Sequence, residues 1–412
     1  MAAGNITISS IQNDLKITYA KGLEVLAYKN RPLLGMIKKV TTFEGRTYNF
    51  GVRNAAMQGR SATFATAQAN RGTNEYNEFA VPRKKNYAIF RIDGEVIAAG
   101  KGDGAYADAL ADAVEGAIQV ISDDMATNLF RSSTGTRGVR GSLPAATTLQ
   151  LDTPEDVVNF DVGMEVGASA TDGGGAARAG TATITAIDRV NGILTTDGAG
   201  WAAQIVAFAD GDFLFTAGDY DAKMQGLNSW VPIDRTGLAT AFNGVTRSVD
   251  PTRLAGMTFD GSGAPIETTL NNAVGKAMLQ GVMSLDTALM NPIDMQDLIV
   301  ALSNRIREPR TTTRKASTVG KAEIGYKGVV VTTPAGQDIE VFADPFAPKG
   351  FVRILTLDSW ELRTAGQAPG FLQYDDAGKI LRVSDDDSYE GRLGYYGNVV
   401  CRRPGENMVV TL

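Results

Sequence analysis

Four clusters in this sequence carry residue types capable of chemistry, and each lacks the spacing its chemistry needs. Gly100-Lys101-Gly102-Asp103-Gly104 stands between a strand pattern and a helix pattern, where a phosphate loop would sit. It departs from G-x-x-x-x-G-K-[ST], and Asp103 places a carboxylate where the phosphate belongs; it reads as a turn and N-cap. Asp385-Asp386-Asp387, with Asp375-Asp376 nearby, offers oxygen ligands for a hard cation without the D-x-[DN]-x-[DN]-G order of a calcium loop. It reads as a solvated turn. The basic run Arg305, Arg307, Arg310, Arg314, Lys315 and Lys321 suits phosphates but has no interleaved aromatics for stacking on bases; it reads as a surface loop near a subunit contact. Cys401 follows the apolar Val399-Val400, the setting of a buried, inert thiol.

The residue that is missing narrows function further. The 412 residues include no histidine. Histidine titrates near physiological pH and is the commonest metal ligand. A Ser-His-Asp triad, a Cys-His pair, an H-E-x-x-H zinc site and a His-ligated haem are therefore excluded. Carboxylate pairs remain, but with 46 Asp and Glu no single pair stands out, because their separation is a three-dimensional quantity. We expect no catalytic residue, no cofactor and no metal.

Composition sets the outer limits. Hydrophobic residues make up 43% of the chain, enough for real cores. A net charge of −6 is too mild for a nucleic-acid binder by bulk charge. One cysteine rules out an internal disulfide framework. No apolar run approaches the length of a membrane span, and the N-terminus lacks the charged and apolar regions of a signal peptide.

The elements follow from periodicity. Residues 1–42 form a basic arm whose apolar Leu23, Leu26, Leu33, Leu34 and Ile37 need a covering surface. Alternation at Thr47–Val52 and Tyr87–Ile92 predicts the two strands of an extended β-hairpin over 43–92. The stretch between them is polar, so the hairpin must lie on a neighbour. Tyr106, Leu110, Val114, Ile118, Ile121, Met125 and Leu129 predict a long helix over 103–131, with Asp108, Asp112, Glu115, Asp123 and Asp124 on its far face. Residues 142–226 read as an inserted small β-barrel or sandwich. Its alternating Thr181–Ile187, then Asn191-Gly192 and Ile193–Thr196, give the strongest short-range hairpin signal. Helices follow near 267–283 and after Asn291-Pro292, and strands at 327–332, 338–343, 351–357 and 389–402. The fold class is α+β.

The order of these elements resembles the major capsid protein of tailed bacteriophages with the Hong Kong 97 fold. Local phrasing agrees: Leu289-Met290-Asn291-Pro292 opening a helix, Ala343-Asp344-Pro345-Phe346 through Lys349-Gly350-Phe351, Asp358-Ser359-Trp360, and Leu393-Gly394-Tyr395-Tyr396-Gly397 through Arg403-Pro404-Gly405-Glu406-Asn407. The resemblance implies an N-terminal arm (1–42), an extended loop (43–92), a peripheral domain in three pieces (93–141, 227–285 and 389–412), and an axial domain (286–388). The insertion at 142–226 departs from the minimal fold. The resemblance further implies hexamers and pentamers closing an icosahedral head, assembled in the bacterial cytoplasm. The head encloses double-stranded DNA without reading its sequence, and no membrane is involved. A portal, and in some members a decoration protein, join the shell. The arm begins almost at once, which implies either a separate scaffolding protein or a chain already processed, and Met1 favours the former.

Two sets of site residues are expected on this reading. Some members join a loop lysine to a neighbour's asparagine, but residues 44–82 hold Arg46, Arg53, Arg60 and Arg71 and no lysine. These arginines are expected to pair with carboxylates of adjacent subunits. The far face of the long helix (Asp108, Asp112, Glu115, Asp123, Asp124) is expected to face the DNA and repel it. The alternatives are an encapsulin-like nanocompartment shell, which shares the fold, and a carboxylate-based, polysaccharide-active enzyme with an appended β domain. The second lacks an aromatic platform, since 142–226 holds only Trp201, Tyr220 and four Phe.

Overall fold

The computed structural model describes residues 31–95, 105–303, 329–332, 336, 338–372, 380–384 and 386–412, with backbone alone at 105–112 and 380. Three apolar cores organise them.

The first core lies under a mixed sheet. Strand β1 (Lys38–Val40) runs parallel to β16 (Trp360–Thr364), which pairs antiparallel with β19 (Ser388–Cys401). On its other side β19 pairs along most of its length with β4 (Lys84–Asp93). A helix over Ala105–Phe130 packs against β4 and β19. Its 26 residues span about 40 Å. From Ile121 to Phe130 every residue is buried, because the sheet, the short helix Pro32–Met36 and the helix Leu227–Trp230 surround it.

The second core is covered by the helices Ile266–Leu279 and Pro292–Ser303. They lie on a sheet ordered β11 (Met257–Asp260), β20 (Met408–Thr411), β15 (Phe351–Leu355), β12 (Thr287–Met290), β14 (Asp338–Ala343), β13 (Val329–Thr332). Asn291 opens the second helix as its spacing predicts. Its Oδ1 accepts from the Ile293 N–H at 3.0 Å, and its Nδ2 donates to the Ala347 carbonyl.

The third core fills a closed barrel of β5 (Thr136–Ala145), β6 (Thr148–Leu151), β7 (Glu165–Ser169), β8 (Ala182–Asp188), β9 (Ile193–Thr196) and β10 (Phe213–Thr216). Leu149, Val166, Ile184, Leu194 and Leu214 point inward, the alternation expected of a small closed barrel, and Trp201 joins their core from a short helix. Gly192, at φ +68°, supplies the left-handed residue that the β8–β9 turn requires. The barrel's first strand opens at Thr136, ahead of the boundary that composition marks at 142.

Three expectations are corrected. The hairpin is not made by Thr47–Val52 and Tyr87–Ile92. β2 (Thr47–Ala55) pairs with β3 (Glu75–Pro82), Phe50 opposite Phe79, whereas β4 belongs to the sheet with β19. Pro82 lacks the N–H to carry β3 onward, so the alternation after it serves a second sheet. The polar first half of β3 conceals it from a reading by hydropathy. Nor is the hairpin without cover in its own chain: Phe79 and Val81 are 0% exposed and share a core with Trp230 and Phe242. The arm's Leu33, Leu34 and Ile37 likewise lie in the first core of their own chain, while Leu23 and Leu26 fall outside the described residues.

Candidate assembly surfaces and a buried polar junction

The base and the tip of the hairpin differ in kind. At the base, Phe50 stacks on Phe79 at 5.5 Å and Phe79 meets Trp230 at 5.3 Å. At the tip, the short helix Phe64–Ala69 buries nothing. Met57 is 66%, Phe64 82% and Tyr76 68% exposed. Clustered exposed apolar side chains of this size mark a contact surface. Arg46, Arg53, Arg60 and Arg71 are all exposed, and none forms an ion pair with its own chain among the described residues. A cleft of about 620 Å³ opens beside the base, between Arg53, Arg253, Arg402 and Arg403 on one hand and Asp250 and Glu406 on the other. It holds no nucleophile paired with a base, so what it offers is charge recognition.

The arm is fastened by charge as well as by its leucines. Arg31 Nε donates to Asp123 at 2.7 Å. The buried Glu361 collects Arg363 at 2.7 Å, Arg402 at 3.3 Å and Lys38 at 3.7 Å. The Leu33 and Phe346 N–H groups donate to the two oxygens of Asp344 at 3.1 and 3.0 Å. Burial nevertheless pushes the Asp344 carboxyl up to about 6.

The acidic face is corrected in part. Asp123 and Asp124 are buried, Asp123 against Arg31 and Asp124 inside the molecule, so neither can face DNA. The helix ends in a fully buried segment, where an acid survives only with partners. Glu115 is exposed. The side chains of Asp108 and Asp112 lie outside the described residues, as do Gly100–Gly104, Asp375, Asp376, Asp385 and the basic run from Arg305 to Lys321.

Asp124 is the centre of a network that sequence reasoning missed. Its Oδ1 pairs with Arg137. Its Oδ2 accepts from Asn86 Nδ2 at 2.5 Å, Lys223 Nζ at 3.0 Å and Asn128 Nδ2 at 3.0 Å. Lys223 Nζ also lies 2.9 Å from Asp219 Oδ2 and 2.9 Å from Asn86 Oδ1. Burial raises the Asp124 pKa, but Arg137, Lys223 and Asn86 override it and hold the carboxyl below its usual range. Asp219 is pushed up, chiefly by burial, with the charge of Asp124 adding to it. Burial also drives the Tyr395 hydroxyl far above its ordinary range. The network joins four stretches: the long helix, the entry to the barrel (Arg137), the exit from it (Asp219, Lys223) and β4 (Asn86). The one signal in the sequence is the run Asp123-Asp124 followed four residues on by Thr127-Asn128. Those polar side chains turn back onto the Asp123 and Asp124 carbonyls.

Other charges are buried beside the helix Leu227–Trp230. Arg247 donates to the Ser229 and Trp230 carbonyls and Arg353 to the Val231 carbonyl, cations placed at a helix C-terminus. Burial lowers Arg247 to about 10 and Arg353 to about 9. Cys401 is fully buried, its thiol pushed up to about 12 by that burial, so it is no nucleophile. Among the described residues no group of three or more acids or thiols could hold a metal ion, and no helix is long and apolar enough to cross a membrane.

No protein-family model matches the chain, and no curated protein matches it in sequence. Solved structures do. The chain is similar to the capsid asymmetric unit of cyanophage A-1(L), with a TM-score of 0.61 at 15% identity, over 98% of this chain and 99% of that one. It also matches the capsid of a native GTA particle (TM-score 0.49, 8% identity, 100% and 99% covered). A further match is the holo-SrpI encapsulin complex of Synechococcus elongatus PCC 7942 (0.49, 8%, 99% and 95%). The cyanophage comparison runs end to end in both chains, and it shows that this chain has the α+β fold of a tailed-phage capsid subunit of the Hong Kong 97 type.

Proposed function

We propose that this chain is the major capsid protein of a tailed phage, a non-enzymatic subunit. On this reading it assembles into the hexamers and pentamers of an icosahedral head around double-stranded DNA. The observation that carries the proposal is the end-to-end likeness to a cyanophage capsid subunit, joined to a hairpin whose base is buried at home and whose tip exposes Met57, Phe64 and Tyr76. The tip is the part for which another copy must provide cover. The domain scheme read from the sequence carries over as part of the proposal with two boundaries moved: arm 1–42, extended loop 43–83 because β4 joins the sheet with β19, peripheral pieces 84–135, 227–285 and 389–412, insertion 136–226 because β5 opens the barrel, axial domain 286–388.

Within the shell, Arg46, Arg53, Arg60 and Arg71 contact carboxylates of adjacent copies. Each exposed pair is worth about 0.2–1 kcal/mol, repeated at every equivalent contact. The DNA-facing acidic surface is reduced to Asp108, Asp112 and Glu115. Replacing these three by Lys should raise DNA retention at low salt; unchanged retention would mean that the face points elsewhere. A separate scaffolding protein and a portal are the expected partners, joined by a decoration protein in some members of the family, with assembly in the bacterial cytoplasm and residence in the virion. Light scattering of the purified chain, alone and co-expressed with its scaffolding partner, tests the proposal. Large, uniform particles are expected, and a 43.6 kDa species under every condition refutes it.

A further inference from the structure

The buried junction has the geometry of a covalent staple as well as of an ion-pair network. We propose that Lys223 and Asn86 form an intramolecular isopeptide bond, tying the turn that leaves the inserted barrel to β4 of the parent sheet, with Asp219 and Asp124 moving the protons. Four observations carry it. Lys223 Nζ lies 2.9 Å from the Asn86 amide oxygen, which holds the nucleophile against the amide whose Cγ it must attack. Lys223 and Asp124 are both buried and Asn86 is half-buried, so the nucleophile and the shared base are shielded from bulk water. The Asn86 oxygen accepts from the Tyr87 backbone N–H at 3.1 Å, a fixed donor placed where negative charge develops during attack. A single oxygen, Asp124 Oδ2, touches both nitrogens of the exchange: Lys223 Nζ at 3.0 Å and Asn86 Nδ2 at 2.5 Å.

The atoms balance without an outside reagent. The Lys223 ammonium gives a proton to Asp219 Oδ2, 2.9 Å away, whose burial favours its neutral form. The freed amine attacks Asn86 Cγ, and the carbonyl π pair moves onto Oδ1, held by the Tyr87 N–H. Asp124 then takes a proton from the now cationic Nζ and delivers it to Nδ2. Collapse of the tetrahedral centre restores the carbonyl and breaks the Cγ–Nδ2 bond. Ammonia departs and takes up the proton stored on Asp219. One C–N bond forms and one breaks; nothing is oxidised. Arg137 and Asn128, the remaining partners of Asp124, keep its carboxylate in place as a base. Arginine at position 223 has no such path, because it stays protonated.

The wild-type full chain tests this directly. Its denatured mass should fall short of the sequence mass by one ammonia. A tryptic digest should yield a branched peptide joining the Asn86 and Lys223 segments. Lys223→Arg should restore the full mass and both linear peptides, and Asp219→Asn should leave most of the chain unlinked. N-terminal trimming would act on wild type and variants alike, so the difference between them reads the bond. Two linear peptides and a full wild-type mass, in fresh and aged samples, would overturn the proposal whatever the variants do. So would a branched peptide that persists in Lys223→Arg.

Discussion

Phe79→Ala and Phe64→Ala should separate the stability of the subunit from the cohesion of the shell. Phe79 is 0% exposed and meets Phe50, Trp230 and Phe242 with ring centroids 5.5, 5.3 and 6.5 Å away. Truncating a core phenylalanine costs about 3–5 kcal/mol, and aromatic pairs of this kind add about 0.5–1.5 kcal/mol each beyond their area. Against a total stability of about 5–15 kcal/mol, that loss is severe. With a urea slope of about 2–3 kcal/mol per molar, it moves the midpoint of the unassembled subunit down by roughly 1–2 M. Phe64 is 82% exposed, and its removal should leave the stability within about 0.5 kcal/mol of wild type. In a shell that covers it, burying the ring is worth about 1.5–3 kcal/mol per contact, so the concentration needed for assembly should rise roughly tenfold or more. The assays are urea denaturation of dissociated subunits and particle yield against concentration. Equal destabilisation by both variants, or shells of Phe64→Ala at wild-type concentrations, refutes the division between a buried base and a partnered tip.

Three further outcomes are expected. Asp344 is raised to about 6 by burial, so the folded state holds that proton more tightly than the unfolded one. Its contribution is therefore complete below about pH 4 and is lost as pH climbs through about 6, by up to about 3 kcal/mol. Asp124, Glu155 and Glu390 are shifted the opposite way, so the effect is read as the difference between wild type and Asp344→Asn in urea midpoints at pH 4.5 and 7, and equal pH slopes in the two would contradict it. Boiled, denatured particles should run as one band near 43.6 kDa, because the loop over 44–82 has no lysine; a ladder of dimers to hexamers would send the search to Lys84, Lys85 or Lys101 as donor. Residues 136–226, which keep the whole of β5 and its pairing with β10, should when expressed alone give a β-type circular dichroism spectrum and a cooperative melt, and a random-coil spectrum would count against an autonomous inserted domain.

The elements that sequence could reveal are those whose signal is local. The long helix, the turn at Asn191-Gly192, the cap at Asn291 and the strand 338–343 each rest on neighbours a few residues apart, and each forms as expected. What escaped rests on distant partners. Asp123 and Asp124 look like a solvated face until Arg31, Arg137 and Lys223 arrive from elsewhere in the chain. β1 pairs in parallel with β16 across more than three hundred residues, and a three-residue strand carries no period of its own. β3 is half polar because only Phe79 and Val81 enter the core. The Asn86–Lys223–Asp124 junction exists only once the barrel is closed, which no local pattern in the sequence announces.

Negative-stain electron microscopy of the purified protein tests the central claim most directly. Closed, angular shells of uniform diameter built from fivefold and sixfold capsomers are expected, with DNA inside when they are taken from infected cells. Monomers, open rods or amorphous aggregates under conditions that keep the subunit folded would contradict it. Small shells free of nucleic acid would replace the phage head with a nanocompartment.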